Sequence, residues 1–267
     1  AIGTPGARIT FSGTSATPGW WGGLRFVGSG SNLLTGSTLD YSTIADGGYF
    51  ASYPTNLYLY YAEVSLNHAT VANGKYNGVY GYSNGVAHIS NTTLSNNGTA
   101  TSDEDYAIWF TDGSVAPELS SLTLSGNSQD AIAFGAGTLT TRTWCATGYP
   151  IIITGDQTVP EGTTLTVEPG VQARFTQGTS LMVHGQILAQ GSSAAGAGIS
   201  FRGTSATPGW WGGIYLEGYG GNPLTGSLLD YVTISDGGYN QSRPGNLYLY
   251  YATLTMSHAV VSNGKYS

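Results

Sequence analysis

Charge is what this sequence has least of. Only 9% of its residues are Asp, Glu, Lys or Arg, against about 25% in an ordinary globular domain. The eight basic residues face fifteen acidic ones, for a formal charge of −7, and no Lys/Arg-rich stripe occurs. A nucleic-acid backbone therefore has no electrostatic reason to bind. Apolar runs are short as well, and none approaches the roughly 18 residues of a membrane-spanning helix. Cys145 is the single cysteine, which excludes an internal disulfide framework and a four-thiolate zinc site. Helical periodicity is missing along almost the whole chain. The sequence has no HExxH, no HxH, no GxSxG elbow, no P-loop and no dinucleotide fingerprint.

What the chain does have is glycine, 41 of 267 residues, spread without the collagen period. Glycine at that level implies many tight turns. Between the turns run short stretches rich in Val, Ile, Thr and Tyr that alternate apolar with polar residues, the signature of strands. A large repeat overlies this pattern. Residues 13–76 return at 203–266 with 43 of 64 positions identical. GTSATPGWWGG stands at Gly13 to Gly23 and again at Gly203 to Gly213, and LDY, DGGY and NLYLYYA each recur 190 positions on. Between the copies, strand runs end at the turn asparagines Asn73, Asn96 and Asn127. That spacing of roughly 20 to 30 residues suits one coil of three short strands better than a sandwich hairpin or a propeller blade. A coil cannot bury its apolar side alone, so neighbouring coils must supply the core. The expectation is one all-β solenoid over 1–267, about eight to eleven coils long, with residues 77–202 forming the coils between the two copies.

The runs TTLTVEPGVQARFTQGTSLMVHGQILAQG (Thr163 to Gly191) and ISFRGTSATPGWWGGIYLEG (Ile199 to Gly218) resemble the parallel β-helix repeats of secreted and surface bacterial proteins with the pectin-lyase-like fold. The resemblance implies a right-handed parallel β-helix. It says little about activity, because that fold serves polysaccharide lyases and hydrolases, adhesins, autotransported passengers and phage tail spikes.

Aromatic residues are the leading candidates for ligand contact. Trp20–Trp21 and Trp210–Trp211 offer faces for a sugar ring; the competing expectation puts one Trp of each pair in the core and the other over a loop. In NLYLYY, alternation places Leu57 and Leu59 inside, and so Tyr58 and Tyr60 outside, with Tyr248 and Tyr250 as their counterparts. Such an exposed strip fits a glycan or protein contact, or a solvated ladder between coils. The run Asp103, Glu104 and Asp105 is the one weak candidate for a metal, calcium, although it lacks the spaced ligands of a calcium loop. No other cofactor is expected. Asp40 and Asp46, with Asp230 and Asp236, read first as turn formers. His68 and His258 are expected near a coil turn, bonded to backbone, and Cys145 in the core.

These features point to a structural or adhesive module of a secreted or cell-surface repeat protein that contacts carbohydrate through Trp and Tyr. The alternative is a polysaccharide lyase or glycoside hydrolase working in a groove of the helix. A third reading is ice binding, which needs stacked threonines; no TxT rank stands out in the sequence. The chain opens on Ala1 without a leader and stops within a second copy of the repeat. It is therefore expected to be an excised piece of a longer array, with Ile9, Phe11, Val260 and Val261 facing solvent or a neighbour. Its expected partners are further coils of the same protein or coaxial copies of itself.

Overall fold

A computed structural model describes residues 1–30, 32–99, 105–219 and 223–266. Among the described residues there is no helix. The chain divides into two compact units, Ala1–Ala133 and Phe134–Ser267.

The first unit contains β1 (Ile9–Phe11), β2 (Leu24–Val27), β3 (Leu34–Asp40), β4 (Ser42–Ala45), β5 (Thr55–Tyr60), β6 (Ala62–Asn67), β7 (Thr70–Ala72), β8 (Asn77–Tyr82), β9 (Val86–Ser95), β10 (Ile108–Phe110), β11 (Leu119–Ser125) and β12 (Ile132–Phe134). These strands pair in parallel with their equivalents one coil away. One row runs β2-β5-β8-β10-β12, a second β1-β4-β7-β9 and a third β3-β6-β9, with β11 beside β9. Strand β9 serves two rows, its first half against β6 and its second against β7.

The second unit is more regular. Its coils are β13 (Gly137–Thr138), β14 (Arg142–Trp144) and β15 (Ile151–Ile153); β16 (Gln157–Val159), β17 (Thr164–Val167) and β18 (Gln172–Phe175); β19 (Ser180–Val183), β20 (Gln186–Gln190) and β21 (Ile199–Gly203); β22 (Gly213–Glu217), β23 (Leu224–Asp230) and β24 (Val232–Ser235); and β25 (Leu247–Tyr250), β26 (Ala252–Ser257) and β27 (Val260–Ser262). Every third strand pairs in parallel, so the chain visits three rows in rotation, each taking five strands from this unit. Each unit thus fits a parallel β-helix. The strands are short because each must end at a corner before the chain turns into the next row.

Aliphatic ladders fill the interiors, since a parallel register puts like positions above one another. Ile44, Val71 and Leu94 align in the first unit and are fully buried. Leu165 and Ile187 do the same in the second. Gly81 lies opposite Phe110, where a Cβ would meet the ring at 2.7 Å; glycine there makes room for the phenyl group. Val260 and Val261 on β27 are half exposed, whereas Ile9 and Phe11 are only partly so.

Two of the corners turn on single left-handed residues. Tyr41, His68, Asn91 and Ser121 occupy equivalent positions with φ between 44° and 50°. At the next corner stand Asp46, Asn73, Asn96 and Gly126, again at positive φ. Asn and Asp tolerate this region because their side chains bond locally, and glycine carries no Cβ.

The buried amide ladder beside that corner differs from the sequence expectation. Asn73 and Asn96 hold the bend, but the stacked amides belong to Asn56, Asn97 and Asn127. Nδ2 of Asn56 donates to Oδ1 of Asn97 at 2.8 Å, and Nδ2 of Asn97 donates to Oδ1 of Asn127 at 2.8 Å. Each amide also ties down backbone: Oδ1 of Asn97 accepts from the Gly74 N–H, and its Nδ2 donates to the Val71 carbonyl. In the second unit Asn246 repeats the role of Asn56 toward Gly237 and Ser262. Removing the Asn97 amide orphans several buried groups, each costing roughly 1–3 kcal/mol. Asn97→Ala is expected to lower the unfolding free energy by about 3 kcal/mol in urea denaturation, while Asn91→Ala, at the exposed corner, changes it far less.

Candidate functional site

The outward face of β2, β5, β8 and β10 carries the largest ordered set of aromatic rings in the first unit. Register aligns Arg25, Tyr58, Tyr80 and Trp109 in one rank and Val27, Tyr60 and Tyr82 in the next. Tyr58 stacks on Tyr80 at 5.9 Å between centroids, Tyr60 stacks on Tyr82 at 5.9 Å, and Trp109 meets Tyr80 edge-on at 5.3 Å. Alternation produces the face, since Leu57, Leu59 and Val79 point into the core. Most of these rings turn their flat sides to one another, so the surface is built largely of ring edges and phenol hydroxyls.

Tyr58 corrects the expected exposure. It is only 6% exposed, because the loop between β4 and β5 folds over it. Tyr53 packs edge-on against its ring at 5.0 Å, and the Arg25 guanidinium lies 3.5 Å from the centre of the Tyr53 ring. Tyr60 is half-buried, and Tyr82, at 44%, is the open end of its stack. Burial, reinforced by the neighbouring phenols Tyr58 and Tyr82, pushes the Tyr80 hydroxyl up to about 12. Burial likewise raises Tyr58. Both therefore remain neutral and able to donate as well as accept hydrogen bonds.

The second copy reaches a related geometry with exchanged residues. Tyr215 stands where the first copy has Arg25, and Arg243 where it has Tyr53. The guanidinium of Arg243 lies 5.2 Å from the Tyr215 ring centre and grips the carboxylate of Glu217 through Nε and Nη2. Glu217 replaces Val27. A cation over a tyrosine thus pins the loop in both copies, with the two partners swapped. Tyr248, in register with Tyr215, is half-buried, and Tyr250, beside Glu217, is 52% exposed.

The tryptophan pairs divide their roles. Trp21 and Trp211 turn inward and donate from Nε1 to the carbonyls of Ala45 and Ser235, each at 2.6 Å. Trp211 is fully buried and stacks on Phe175 at 4.2 Å. Trp20 and Trp210 lie on the outside, each donating to a loop threonine, Thr14 and Thr204. Trp20 is 52% exposed. Asn73 and Asn263 fasten these loops, bonding to the carbonyls of Ala16 and Ala206.

The remaining candidates have structural partners. Asp46 and Asp236 sit at positive-φ corners, buried, and accept from Asn73 and Asn263 at 2.6 and 2.7 Å. His68 and His258 are at coil corners as expected, but each engages a carboxylate rather than backbone: Asp40 at 3.2 Å and Asp230 at 2.9 Å. Each imidazole also stacks on a corner tyrosine, Tyr41 or Tyr231. The bond from His258, with help from Ser257, holds the Asp230 carboxyl below its ordinary range. Asp103 and Glu104 lie outside the described residues, and Asp105 is buried rather than solvated. Among the described residues no three His, Cys, Asp or Glu side chains gather to hold a metal. Cys145 is exposed, not in the core.

Sequence reasoning missed Tyr80, Tyr82, Trp109, Arg25 and Tyr53. Alternation in GVYGY and IWF was the available signal for the first three, but only register shows that they continue the rank begun by Tyr58. Compared with known protein families, curated proteins and solved structures, the chain matches none.

The swap between copies supplies a test. Arg25→Ala should lower the melting temperature through loss of a contact of about 0.5–2 kcal/mol. The double exchange Arg25→Tyr with Tyr53→Arg should recover most of that loss, and calorimetry of the two variants beside the parent measures it.

Proposed function

We propose that this chain is a structural or adhesive module of a secreted or cell-surface repeat protein, built as a right-handed parallel β-helix of the pectin-lyase-like type, and that it contacts glycans through its outward tyrosine face. The handedness rests on the strong right-handed preference of parallel crossover connections, and the subtype on the repeat pattern of Thr163 to Gly191. One observation carries the ligand: the ranks Tyr58–Tyr80–Trp109 and Tyr60–Tyr82 are held in register on a rigid sheet. Past the covered Tyr58, such a face presents phenol hydroxyls to sugar hydroxyls, and the open Tyr82 ring to a pyranose face. Its rings are ordered before any ligand arrives, which lowers the entropic cost of binding.

A lyase or hydrolase would use carboxylates converging on a groove. Glu63 and Glu118 do flank His88, at 3.4 and 3.9 Å, beside a shallow cavity of about 520 Å³. The Glu118 side chain is 89% exposed and so lacks the enclosure that tunes a catalytic acid. Binding and turnover separate the two readings. Neutral oligosaccharides titrated into the protein should quench its aromatic fluorescence and be recovered uncut. Tyr82→Ala should weaken binding about tenfold, the loss of one stacking contact of 1–1.5 kcal/mol. Cleaved product, or equal affinity of parent and Tyr82→Ala, would contradict the proposal.

Ice binding gains an observation that the sequence concealed. Thr10, Thr43, Thr70, Thr93 and Thr123 form one outward rank, followed two residues on by Ala45, Ala72, Ser95 and Ser125. The rank was hidden because unequal loops separate its members. Arg8 lies across it, its guanidinium reaching the hydroxyls of Thr43 and Thr70 and the carbonyls of Ser42 and His68. If this face meets ice, the parent should show thermal hysteresis and Arg8→Ala should increase it. Absence of hysteresis in both proteins would remove this reading.

A further inference from the structure

The chain has only eight basic residues, and most are visibly engaged. Arg8 spans the threonine rank, Arg25 covers Tyr53, Arg243 grips Glu217, and Lys75 and Lys265 lie near the rings of Tyr76 and Tyr266. Arg174 and Arg202 are different. They face each other across β18 and β21 in direct register, about one strand spacing of 4.8 Å apart at the backbone. Like charges directly opposite in a sheet are destabilising. Among the described residues neither has an ion-pair partner. Among the described residues the one side-chain acceptor of Arg174 is Oε1 of Gln172, at a long 3.4 Å from Nη2, and its buried Nε has no hydrogen-bond partner. Burial and the Arg202 charge both lower the Arg174 pKa, which expresses the same uncompensated positive charge.

The second unit therefore places two guanidinium groups without ion-pair partners side by side on its outward face. Trp210 belongs to the loop that follows Arg202 in the sequence and donates from Nε1 to Oγ1 of Thr204. We infer that Arg174 and Arg202 form a binding site for an oxyanion, a sulfate ester or a carboxylate, carried on a glycan. Guanidinium forks match such oxygens geometrically, and a bound anion removes the repulsion between the two charges. The repeat contains its own control. In the first copy the loop Gly13 to Trp20 is the same, but Ser12 stands where the second has Arg202. A serine at this position is thus already compatible with the fold.

The glycan as carrier rests on the function proposed above; the anion site does not, and the test keeps the two apart. The full chain, Arg202→Ser and Arg174→Gln are melted in sodium sulfate and in sodium chloride of equal ionic strength. They are then titrated by calorimetry with a neutral glucan oligosaccharide and with its sulfated and carboxylated forms. Sulfate should raise the melting temperature of the parent above its value in chloride and do so in neither variant. Without sulfate, Arg202→Ser should melt no lower than the parent, since it relieves the repulsion. A charged oligosaccharide should bind the parent about tenfold more tightly than the neutral form, a gain of one charge-assisted contact, and lose that gain in Arg202→Ser; the preferred derivative identifies the oxyanion. If sulfate acts through both arginines but no oligosaccharide binds, the anion site stands and the glycan carrier is overturned. If all three oligosaccharides bind alike and sulfate has no arginine-dependent effect, the anion site is overturned and glycan contact stands.

Discussion

A buried side-chain amide that bonds at once to the coil above, the coil below and the backbone beside it sets the spacing of everything else in the first unit. Asn56, Asn97 and Asn127 leave few polar groups unsatisfied only when successive coils lie in register. A slip of one residue would point every side chain to the opposite face and strand these amides in an apolar interior. The aliphatic ladders supply most of the favourable burial free energy, but a greasy core alone tolerates sliding. The amides make the register specific.

Register in turn explains how a chain so poor in charge obtains organised surfaces. Whatever residue occupies an outward position is copied into a rank at strand spacing. Tyrosines at one position become a row of stacked phenols, threonines at another become a hydroxyl rank, and two arginines become a concentrated positive spot in a chain of net charge −7. The loops are the variable part. In both copies the same Trp-Trp loop is fastened by an asparagine, and the loop before the same tyrosine-rich strand is pinned by a cation over a tyrosine. The exchange of Arg25 and Tyr53 for Tyr215 and Arg243 preserves contact while altering the charge presented to solvent.

Much of the architecture was legible because its determinants are local. The 190-residue repeat, the short alternating strands and the turn residues announce a solenoid without reference to any contact. The division of labour within each tryptophan pair was also readable from alternation. What escaped was everything set by register across loops of unequal length. The threonines at 10, 43, 70, 93 and 123 show no constant interval, so the rank they form is invisible along the chain. Asn97 escaped because the ladder lies one residue beyond the bend that Asn73 and Asn96 hold, and Asn127, singled out as a turn residue, belongs to the ladder while Gly126 makes the bend. Tyr58 has the alternation of an exposed residue, and only the placement of Tyr53 and Arg25 buries it. His68 and His258 were placed at their corners, but their carboxylate partners come from the preceding coil, 28 residues away.

The account stands or falls on in-register stacking of the coils, because every surface described above follows from it. Nitroxide labels report that most directly. With Cys145 replaced by serine, cysteines introduced in pairs at Thr43 and Thr70 and at Thr43 and Thr93 can be labelled and their dipolar broadening measured by continuous-wave electron paramagnetic resonance. One and two rungs of a parallel sheet correspond to backbone separations of about 5 and 10 Å. Strong broadening in the first pair and weaker but clear broadening in the second is the predicted result. Spectra of both pairs indistinguishable from the sum of their single labels would contradict the stacked register, and with it the ranks of tyrosine, threonine and arginine.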